Sequence, residues 1–253
     1  MFFRDRIRLI ISIASIMLLS SCAKYTAHTQ LIEPPSALLL MPELSQINKE
    51  LKNRMFEIRN IYFDQNDSLE LVPTIPKEMY PKLLEQQVRK GFLAANVNKG
   101  TLTPPYHVDI AIRQLQLKKS GFILPNQSTL RVRLELLRPN GTKMMSGEYK
   151  MLSVSQMIPL PIPGAGFLPI SFSMSGDKAK LMAMSELFPA AAAVVTKVVL
   201  GLQLGKDFTQ IKFFEVPMGN PTKWTLSREV LSDKPFGLTR LTNKDFEEAS
   251  KLP

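Results

Sequence analysis

The sequence predicts an α+β fold, in which a small, mostly antiparallel sheet carries a helix packed on one face, plus an apolar helix and a polar C-terminal extension. Two kinds of periodicity support this class. Several segments alternate apolar and polar residues, which is the period of a half-buried strand. Residues 81–95 instead have apolar residues three and four positions apart, as on one side of an amphipathic helix. The order of a strand, a helix and then three strands is typical of a sheet with a helix on one face.

Two strands are predicted before this helix. Residues 36–41 contain a run of aliphatic residues that fits a short buried strand. Residues 56–63 have apolar residues separated by polar ones, but the period of two slips near Asn60, which indicates a local irregularity such as a β-bulge. The apolar positions of this second segment are Phe56, Ile58, Ile61 and Phe63.

The clearest strands follow the helix. Residues 106–113 alternate apolar and polar residues apart from Ala111, and residues 130–136 alternate without a break. Pro139-Asn140-Gly141 then predicts a tight turn, because proline fixes φ and asparagine and glycine accept positive φ. The turn leads into a third strand, predicted at residues 143–154.

Residues 178–204 predict a second helix, which is unusually apolar. Leu181, Met184 and Phe188 share a helical face, and Pro189 is expected to interrupt or restart the helix. Beyond the proline the chain is apolar almost all round, but at about 1.5 Å per residue it reaches only ~24 Å, short of a ~30 Å hydrocarbon core. Three interpretations follow: a buried helix that covers the sheet, oligomer contact through residues 190–193, and membrane insertion.

Between these elements lies an apolar loop rich in proline, residues 157–170. Pro159, Pro161 and Pro163 occupy every second position, so an extended chain here can pair along one edge only. Gly164-Ala165-Gly166 allows a sharp reversal. One hypothesis is that the loop contacts a partner or a membrane, and the alternative is that it folds back over its own core. The candidate contact residues are Ile158, Leu160, Ile162, Phe167 and Leu168.

The first residues have the pattern of a secretory signal. Three arginines lie within residues 1–8, and the apolar run at residues 9–19 is too short for an ordinary membrane span. Leu19-Ser20-Ser21-Cys22 then resembles the lipobox of bacterial lipoproteins, in which one apolar and two small residues precede a cysteine. The resemblance implies transfer of diacylglycerol to Cys22, cleavage before it, and acylation of the new amino group. The alternative is an unlipidated signal peptide or uncleaved anchor in which Cys22 is incidental.

The same resemblance implies a location. Ala23 stands where many lipoproteins retained at the inner membrane have aspartate, which favours the outer membrane and a domain that faces the periplasm. Cys22 is the only cysteine in 253 residues, so an intrachain disulfide is excluded. The expected organisation is a signal peptide at 1–21, a lipidated tether at 22–35, a periplasmic α+β domain at 36–216 and a C-terminal extension at 217–253.

Three features are expected towards the C-terminus. Residues 210–216 predict a strand. Thr242 and Asp245 have the spacing of an acidic capping box, which predicts a short helix that ends near Lys251. Trp224, the only tryptophan, is interpreted as a core residue, with an interface anchor as the alternative.

The formal charge of +10 at neutral pH favours anionic neighbours such as lipid headgroups, lipopolysaccharide phosphates or an acidic protein. Removal of residues 1–21 takes away three arginines and one aspartate and lowers this charge by two. The remaining excess is spread along the chain. The sequence has no basic helix with interleaved aromatic residues, which argues against nucleic acid as a partner.

The residues of catalytic and metal sites do not come together in the sequence. The two histidines, His28 and His107, have no neighbour at metal-ligand spacing, and a lipidated Cys22 cannot act as a nucleophile. A phosphate-binding loop and a dinucleotide glycine pattern are also missing. We therefore expect no catalytic residue, metal or cofactor. Catalysis by a carboxylate pair, such as Glu57 and Asp64, is the alternative.

Three functions fit these observations. The first is a structural or assembly subunit of an envelope-spanning secretion or transport complex, bound to the membrane through Cys22 and to other envelope proteins. In its layout the chain resembles accessory outer-membrane lipoproteins of such assemblies, including those of type IV secretion. The second is an auxiliary lipoprotein that binds lipid or another apolar ligand in a groove. The third is a periplasmic hydrolase.

Overall fold

A computed structural model gives the fold. Several features predicted from the sequence fall outside the residues that it describes: the signal peptide at 1–21, the lipidation site Cys22, the strands at 36–41 and 210–216, the reversal at Gly164-Ala165, and Trp224. The described residues are 25–33, 49–64, 69–99, 102–117, 127–155, 157–162, 166–171, 177–205, 238 and 241–252.

The strands and helices of the described residues have the following bounds. The strands are β1 (Tyr25–Glu33), β2 (Arg54–Phe63), β3 (Leu69–Glu70), β4 (Leu102–Gln116), β5 (Gln127–Leu137), β6 (Lys143–Ser155), β7 (Met157–Ile162) and β8 (Gly166–Ser171). The helices are α1 (Met79–Ala94), α2 (Asp177–Gln203) and α3 (Asn243–Ala249), and a 3-10 turn follows α1 at Val97–Lys99.

Six of these strands form one sheet in the order β1-β6-β5-β4-β2, with β3 paired to β4 beyond the end of β2. The pairs β1–β6, β6–β5 and β5–β4 are antiparallel, whereas β2 and β3 run parallel to β4. The parallel pairing arises because α1 connects β2 to β4, and a crossover of this kind is what parallel neighbours require. The α+β class with a mostly antiparallel sheet is therefore confirmed.

The irregularity predicted near Asn60 is present. The register of β2 against β4 shifts between Ile58 and Asn60, which is where the alternation of the sequence slips. The turn between β5 and β6 is also present. The N–H of Gly141 donates to the carbonyl of Arg138 at 2.8 Å, and Gly141 has a φ of +83°. Glycine accepts this left-handed conformation without the clash that a Cβ would cause.

The core lies between one face of the sheet and the helices. Leu130, Val132, Leu134 and Leu136 of β5 are all buried there, as the strict alternation of that strand requires. Helix α1 begins and ends close to its predicted bounds and buries the predicted stripe, including Leu83, Leu84, Val88 and Phe92. Helix α2 lies against α1 and against β1, β5 and β6.

Helix α2 continues through Pro189, so the predicted interruption is wrong. Proline cannot donate the hydrogen bond that the carbonyl of Ser185 would accept from the residue four positions later. In the folded protein the backbone N–H of Leu241, just before α3, donates to that carbonyl at 3.3 Å. A residue distant in sequence thus donates the missing hydrogen bond, and no local sequence pattern could indicate this contact.

The burial of α2 distinguishes between the three interpretations of this helix. It is the one helix of the described residues that is long and apolar enough to cross a membrane. Its most apolar stretch of 18 residues is nevertheless 83% buried inside the protein. Ala190, Ala191 and Ala192 are buried as well. The structure therefore favours the core helix that covers the sheet over membrane insertion and over oligomer contact through the alanines.

Strand β1 corrects the predicted tether at 22–35. Tyr25 to Glu33 pair along β6, from Tyr25 opposite Ser155 to Glu33 opposite Glu148. The segment mixes polar and apolar residues, and only Tyr25, Ala27 and Leu31 follow the period of two, so the strand signal is weak. The backbone of β6 nevertheless needs a partner along this edge, and β1 provides it. Only Ala23 and Lys24 separate Cys22 from the sheet.

The apolar loop predicted at 157–170 is a β-hairpin. Strands β7 and β8 pair antiparallel as a separate two-stranded sheet, from Met157 opposite Ser171 to Ile162 opposite Gly166. The loop prediction is corrected in that the segment forms paired strands, and the pairing uses the one edge that the proline spacing left available. In a two-stranded hairpin every second position faces away from the partner and needs no N–H, so proline is tolerated there.

Helix α3 begins at the predicted capping box. The carboxylate of Asp245 accepts hydrogen bonds from the backbone N–H of Thr242 at 2.7 Å and from its hydroxyl at 2.8 Å. The other oxygen of this carboxylate accepts from Gln87 at 2.9 Å and from Lys90 at 2.7 Å, both on α1. The last helix of the C-terminal extension is therefore fastened to the core.

Helices α1 and α2 approach closely at Gly91. A Cβ atom added there would overlap the Oγ1 of Thr196 and lie 3.3 Å from the Cβ of Thr196. We expect Gly91→Ala to lower the free energy of unfolding by about 1–3 kcal/mol, because overpacking forces neighbouring atoms to move.

Urea unfolding of Gly91→Ala, Thr196→Ala and the double variant measures this overlap as a double-mutant cycle. The Oγ1 of Thr196 has no hydrogen-bond partner among the described groups, so Thr196→Ala should lose only about 1 kcal/mol of burial. The double variant should be less destabilised than the sum of the single variants. Strict additivity would contradict the predicted overlap.

Asp245 links the stability of the protein to acid pH. Burial alone would raise its pKa, but the hydrogen bonds from Lys90 and Thr242 outweigh this and hold the pKa below the ordinary 3.8. A carboxyl whose folded pKa is lowered stabilises the protein above its unfolded pKa, and this contribution disappears as the pH falls through the folded pKa. We expect Asp245→Asn to cost about 1 kcal/mol at neutral pH.

Thermal unfolding of the unsubstituted protein and of Asp245→Asn from pH 7 to pH 2 tests this dependence of stability on pH. The difference between them should be constant above about pH 5 and should shrink below about pH 4, where Asp245 becomes protonated. Glu247→Gln on the same helix is the matched control, and a difference that persists unchanged at pH 2 would count against the role of the charge.

Candidate interaction surfaces

The sheet face opposite the helices is lined with paired charges. Alternation along β5 places Arg131 and Arg133 on this face, opposite Lys150 and Glu148 of β6. Glu148 is only 2% exposed and forms ion pairs with Arg131 and, at 3.7 Å, with Arg133. The arginine side chains remain partly exposed, so their apolar stems and charged ends form the outer surface around a buried carboxylate.

A second pair extends this charged face across β2 and β4. Arg59 approaches Asp109 with two nitrogens, the Nε at 3.0 Å from Oδ1 and Nη2 close to Oδ2, so the contact is bidentate. Asp109 lies opposite Glu135, whose carboxylate accepts from Lys143. Acidic and basic groups thus alternate over the face, so the predicted preference for anions is not concentrated here.

The end of the sheet where β4 begins carries a third cluster, which the sequence did not indicate. The Oε1 of Glu50 accepts from the hydroxyl of Tyr106 at 2.6 Å and from the Nε of Arg138 at 3.2 Å. Burial alone would raise the pKa of Glu50, but the hydrogen bonds from Tyr106 and Arg138 lower it below its usual value. Burial and the bond to Glu50 raise the pKa of Tyr106 to about 12.

The residues considered for catalysis do not form a site. Glu57 and Asp64 are seven residues apart along extended chain, which is roughly 20 Å, and Asp64 is paired with Arg113 at 2.7 Å. His107 is half-buried on the charged face, whereas Asp109 on the same strand is held by Arg59. No group of three histidine, cysteine or acidic residues that could hold a metal occurs in the described part of the chain.

A small cavity lies between α2 and the strands β5 and β6. Its volume is about 10 Å³ for water centres, which is room for about one water molecule. A lipid chain therefore does not fit this cavity as it stands. It is lined by Leu134, Leu136, Met145, Ser146, Gly147, Tyr149, Val198, Val199 and Leu202.

The five residues predicted to contact a partner or membrane all lie on the hairpin. Pro159 is opposite Pro169, and neither has an N–H, so this pair cannot exchange ladder hydrogen bonds. The bonds must run through the alternate pairs, which include Ile158 with Ile170 and Leu160 with Leu168. Among the described helices and strands, β7 and β8 contact each other extensively and no other element to a comparable degree.

Comparisons with known proteins found only distant structural similarity. No family model and no curated protein sequence matches the chain. A candidate lipoprotein from Caulobacter crescentus CB15 has a TM-score of 0.34 and 12% identity over 64% of this chain and 99% of its own. The PelC dodecamer from Paraburkholderia phytofirmans has TM-scores of 0.28 (a variant, 13% identity) and 0.26 (12% identity) in two crystal forms. Each covers 71% of this chain and 98% of its own. Similarity this low defines no family for the chain.

The bond between Tyr106 and Glu50 gives a test of the third cluster. We expect Tyr106→Phe to lower the free energy of unfolding by about 1.5–3 kcal/mol at neutral pH, because it removes a hydrogen bond to a carboxylate. In the unsubstituted protein this stabilisation should disappear as the pH rises from about 10 to about 12, since the folded pKa of Tyr106 is the higher one.

Chemical denaturation across that pH range measures both effects. Tyr62→Phe, at a half-exposed tyrosine of the charged face, is the matched control. Equal losses in the two variants would show that the bond to Glu50 adds nothing.

Proposed function

We propose that the chain is an outer-membrane lipoprotein, anchored through Cys22 and facing the periplasm, that acts as a non-catalytic structural or assembly subunit of an envelope-spanning secretion or transport complex. The observation that carries the proposal is the lipobox-like sequence followed within three residues by β1. A strand that begins this soon after the anchor ties the sheet directly to the lipid.

The short connection limits how far the domain can lie from the bilayer. Three residues from Cys22 to Tyr25 span at most about 11 Å, even when fully extended. The sheet is therefore held close to the membrane surface and has little freedom to move away from it. This arrangement suits a subunit that docks against neighbouring envelope proteins at a defined height, whereas a carrier that shuttles ligands needs a longer tether.

The charged face supports a docking role over a catalytic one. Its carboxylates at Asp109 and Glu148 are engaged by arginines, and Glu50 is engaged by Tyr106 and Arg138. A carboxylic acid that serves as a general acid needs a raised pKa and an open approach. Groups held in this way instead form a fixed pattern of charge that a complementary protein surface can recognise.

Removal of the thiol tests the anchor. We expect Cys22→Ser to abolish incorporation of radiolabelled palmitate and to leave the signal peptide uncleaved, so that the protein migrates more slowly on a denaturing gel. Ser21→Ala, which keeps a small residue before the cysteine, is the matched control and should be labelled like the unsubstituted protein. Absence of label in the unsubstituted protein would overturn the anchor.

The assembly role is tested by cross-linking in intact cells, followed by detergent extraction and mass spectrometry. A large complex with envelope proteins in fixed stoichiometry is the expected result. A monomer that carries lipid or nothing would overturn the assembly role and direct attention to the ligand-binding alternative.

A further inference from the structure

The apolar hairpin begins at the corner of the sheet where β1 starts, three residues after Cys22. Tyr25, at the start of β1, is opposite Ser155, at the end of β6. Cys22 is three residues before Tyr25, and β7 begins at Met157, two residues after Ser155.

Covalent geometry limits the distance between the two. Paired strand residues have Cα atoms about 5 Å apart, and consecutive Cα atoms are 3.8 Å apart, so Cys22 lies within roughly 25 Å of Met157. Each strand of the hairpin has six residues, which corresponds to roughly 20 Å of length. The hairpin is thus comparable in length to its greatest separation from the anchor and can reach the same membrane surface.

The composition of the hairpin suits an apolar environment. Residues 157–171 contain no charged residue. Six positions point their backbone away from the partner strand, and three of them are proline: Pro159, Pro161 and Pro169. Proline has no N–H, so these three positions leave no donor unsatisfied when water is excluded. The other three, Met157, Phe167 and Ser171, keep an N–H that the headgroup region must satisfy.

The same register limits the depth of insertion. The outward carbonyl groups of these positions still need hydrogen-bond donors, which the hydrocarbon core of a bilayer lacks. The headgroup region supplies water while it accepts apolar side chains. The backbone therefore fits a shallow position between the headgroups and the first part of the acyl chains.

We propose that strands β7 and β8 (Met157–Ile162 and Gly166–Ser171) are a second membrane contact, in which the hairpin inserts shallowly into the leaflet that holds the Cys22 lipid. This inference rests on the proposed anchoring at Cys22 and adds a site that orients the domain. Two attachment points at one corner fix the tilt of the sheet relative to the bilayer, which a single flexible lipid cannot do. The contact also adds to the lipid anchor in the way that a second attachment signal does.

The single cysteine of the chain makes the test direct. When Cys22 is acylated, a cysteine introduced by Leu160→Cys is the only free thiol, and it can carry an environment-sensitive fluorophore. The full-length lipidated protein is reconstituted into vesicles of phosphatidylethanolamine and phosphatidylglycerol, with or without lipids that carry a quencher near the headgroup. Leu93→Cys, at a 75% exposed leucine on α1, is the matched control.

The proposal expects a blue-shifted emission at position 160 and several-fold stronger quenching by the lipid quencher than at position 93. Quenching at position 160 by aqueous iodide alone, as at position 93, would overturn it. Protection from both quenchers would also overturn it, since the hairpin would then be buried in its own protein, a second copy or another protein.

Two controls separate this inference from the anchoring proposal. Thiol labelling of the protein without an added cysteine would show that Cys22 is not acylated. The measurement at position 160 is then made in the Cys22→Ser background, where the same outcomes decide it. In addition, Leu160→Asp should leave the urea midpoint unchanged, whereas a clearly lowered midpoint would show that the hairpin belongs to the core and would overturn the proposal.

Discussion

The burial of α2 between α1 and the sheet is the interaction on which the other features depend. Most of its residues are buried, and each fully buried aliphatic side chain contributes about 1.5–3 kcal/mol. Because α2 runs unbroken through Pro189, it reaches across β5, β6 and β1. The backbone N–H of Leu241 replaces the hydrogen bond that Pro189 cannot make to Ser185, so the C-terminal part of the chain completes the helix that fills the core.

This central helix also determines where the start of β1 and the hairpin lie. Helix α2 covers β1 as well as β6, so the strand that follows the lipidation sequence is held by both its hydrogen-bonded ladder and the core. The hairpin interrupts the chain between β6 and α2, at the corner where β1 starts. An insertion at this point leaves the order of the main sheet undisturbed and places the apolar hairpin near the start of β1. The arrangement of core elements thus accounts for the proximity of the two proposed attachment sites.

The sequence predicted those parts of the fold that depend on local pattern. Strand β5 and helix α1 were predicted because one face of each is buried, and burial of one face produces periodicity. Strand β1 was missed because its alternation is weak, and an edge strand needs only a backbone partner on one side. To predict the charged face, the register of β5 against β6 must be known as well. Counting back from the Gly141 turn pairs Arg133 with Gly147, but a bulge near Leu136 shifts the partner to Glu148, and no local signal marks that shift.

The charged face exists because the two sides of the sheet have different surroundings. Helices occupy one side, so the other side must be compatible with water or with a protein partner. Glu148 is nevertheless buried beneath Arg131 and Arg133, and a buried carboxylate is retained only with partners that offset its loss of hydration. Each arginine supplies one guanidinium nitrogen to the ion pairs, and its long apolar stem covers the carboxylate. The outcome is a face with fixed positions of charge, which a partner could recognise with little loss of side-chain entropy, and this property connects the buried pairs to the proposed role in assembly.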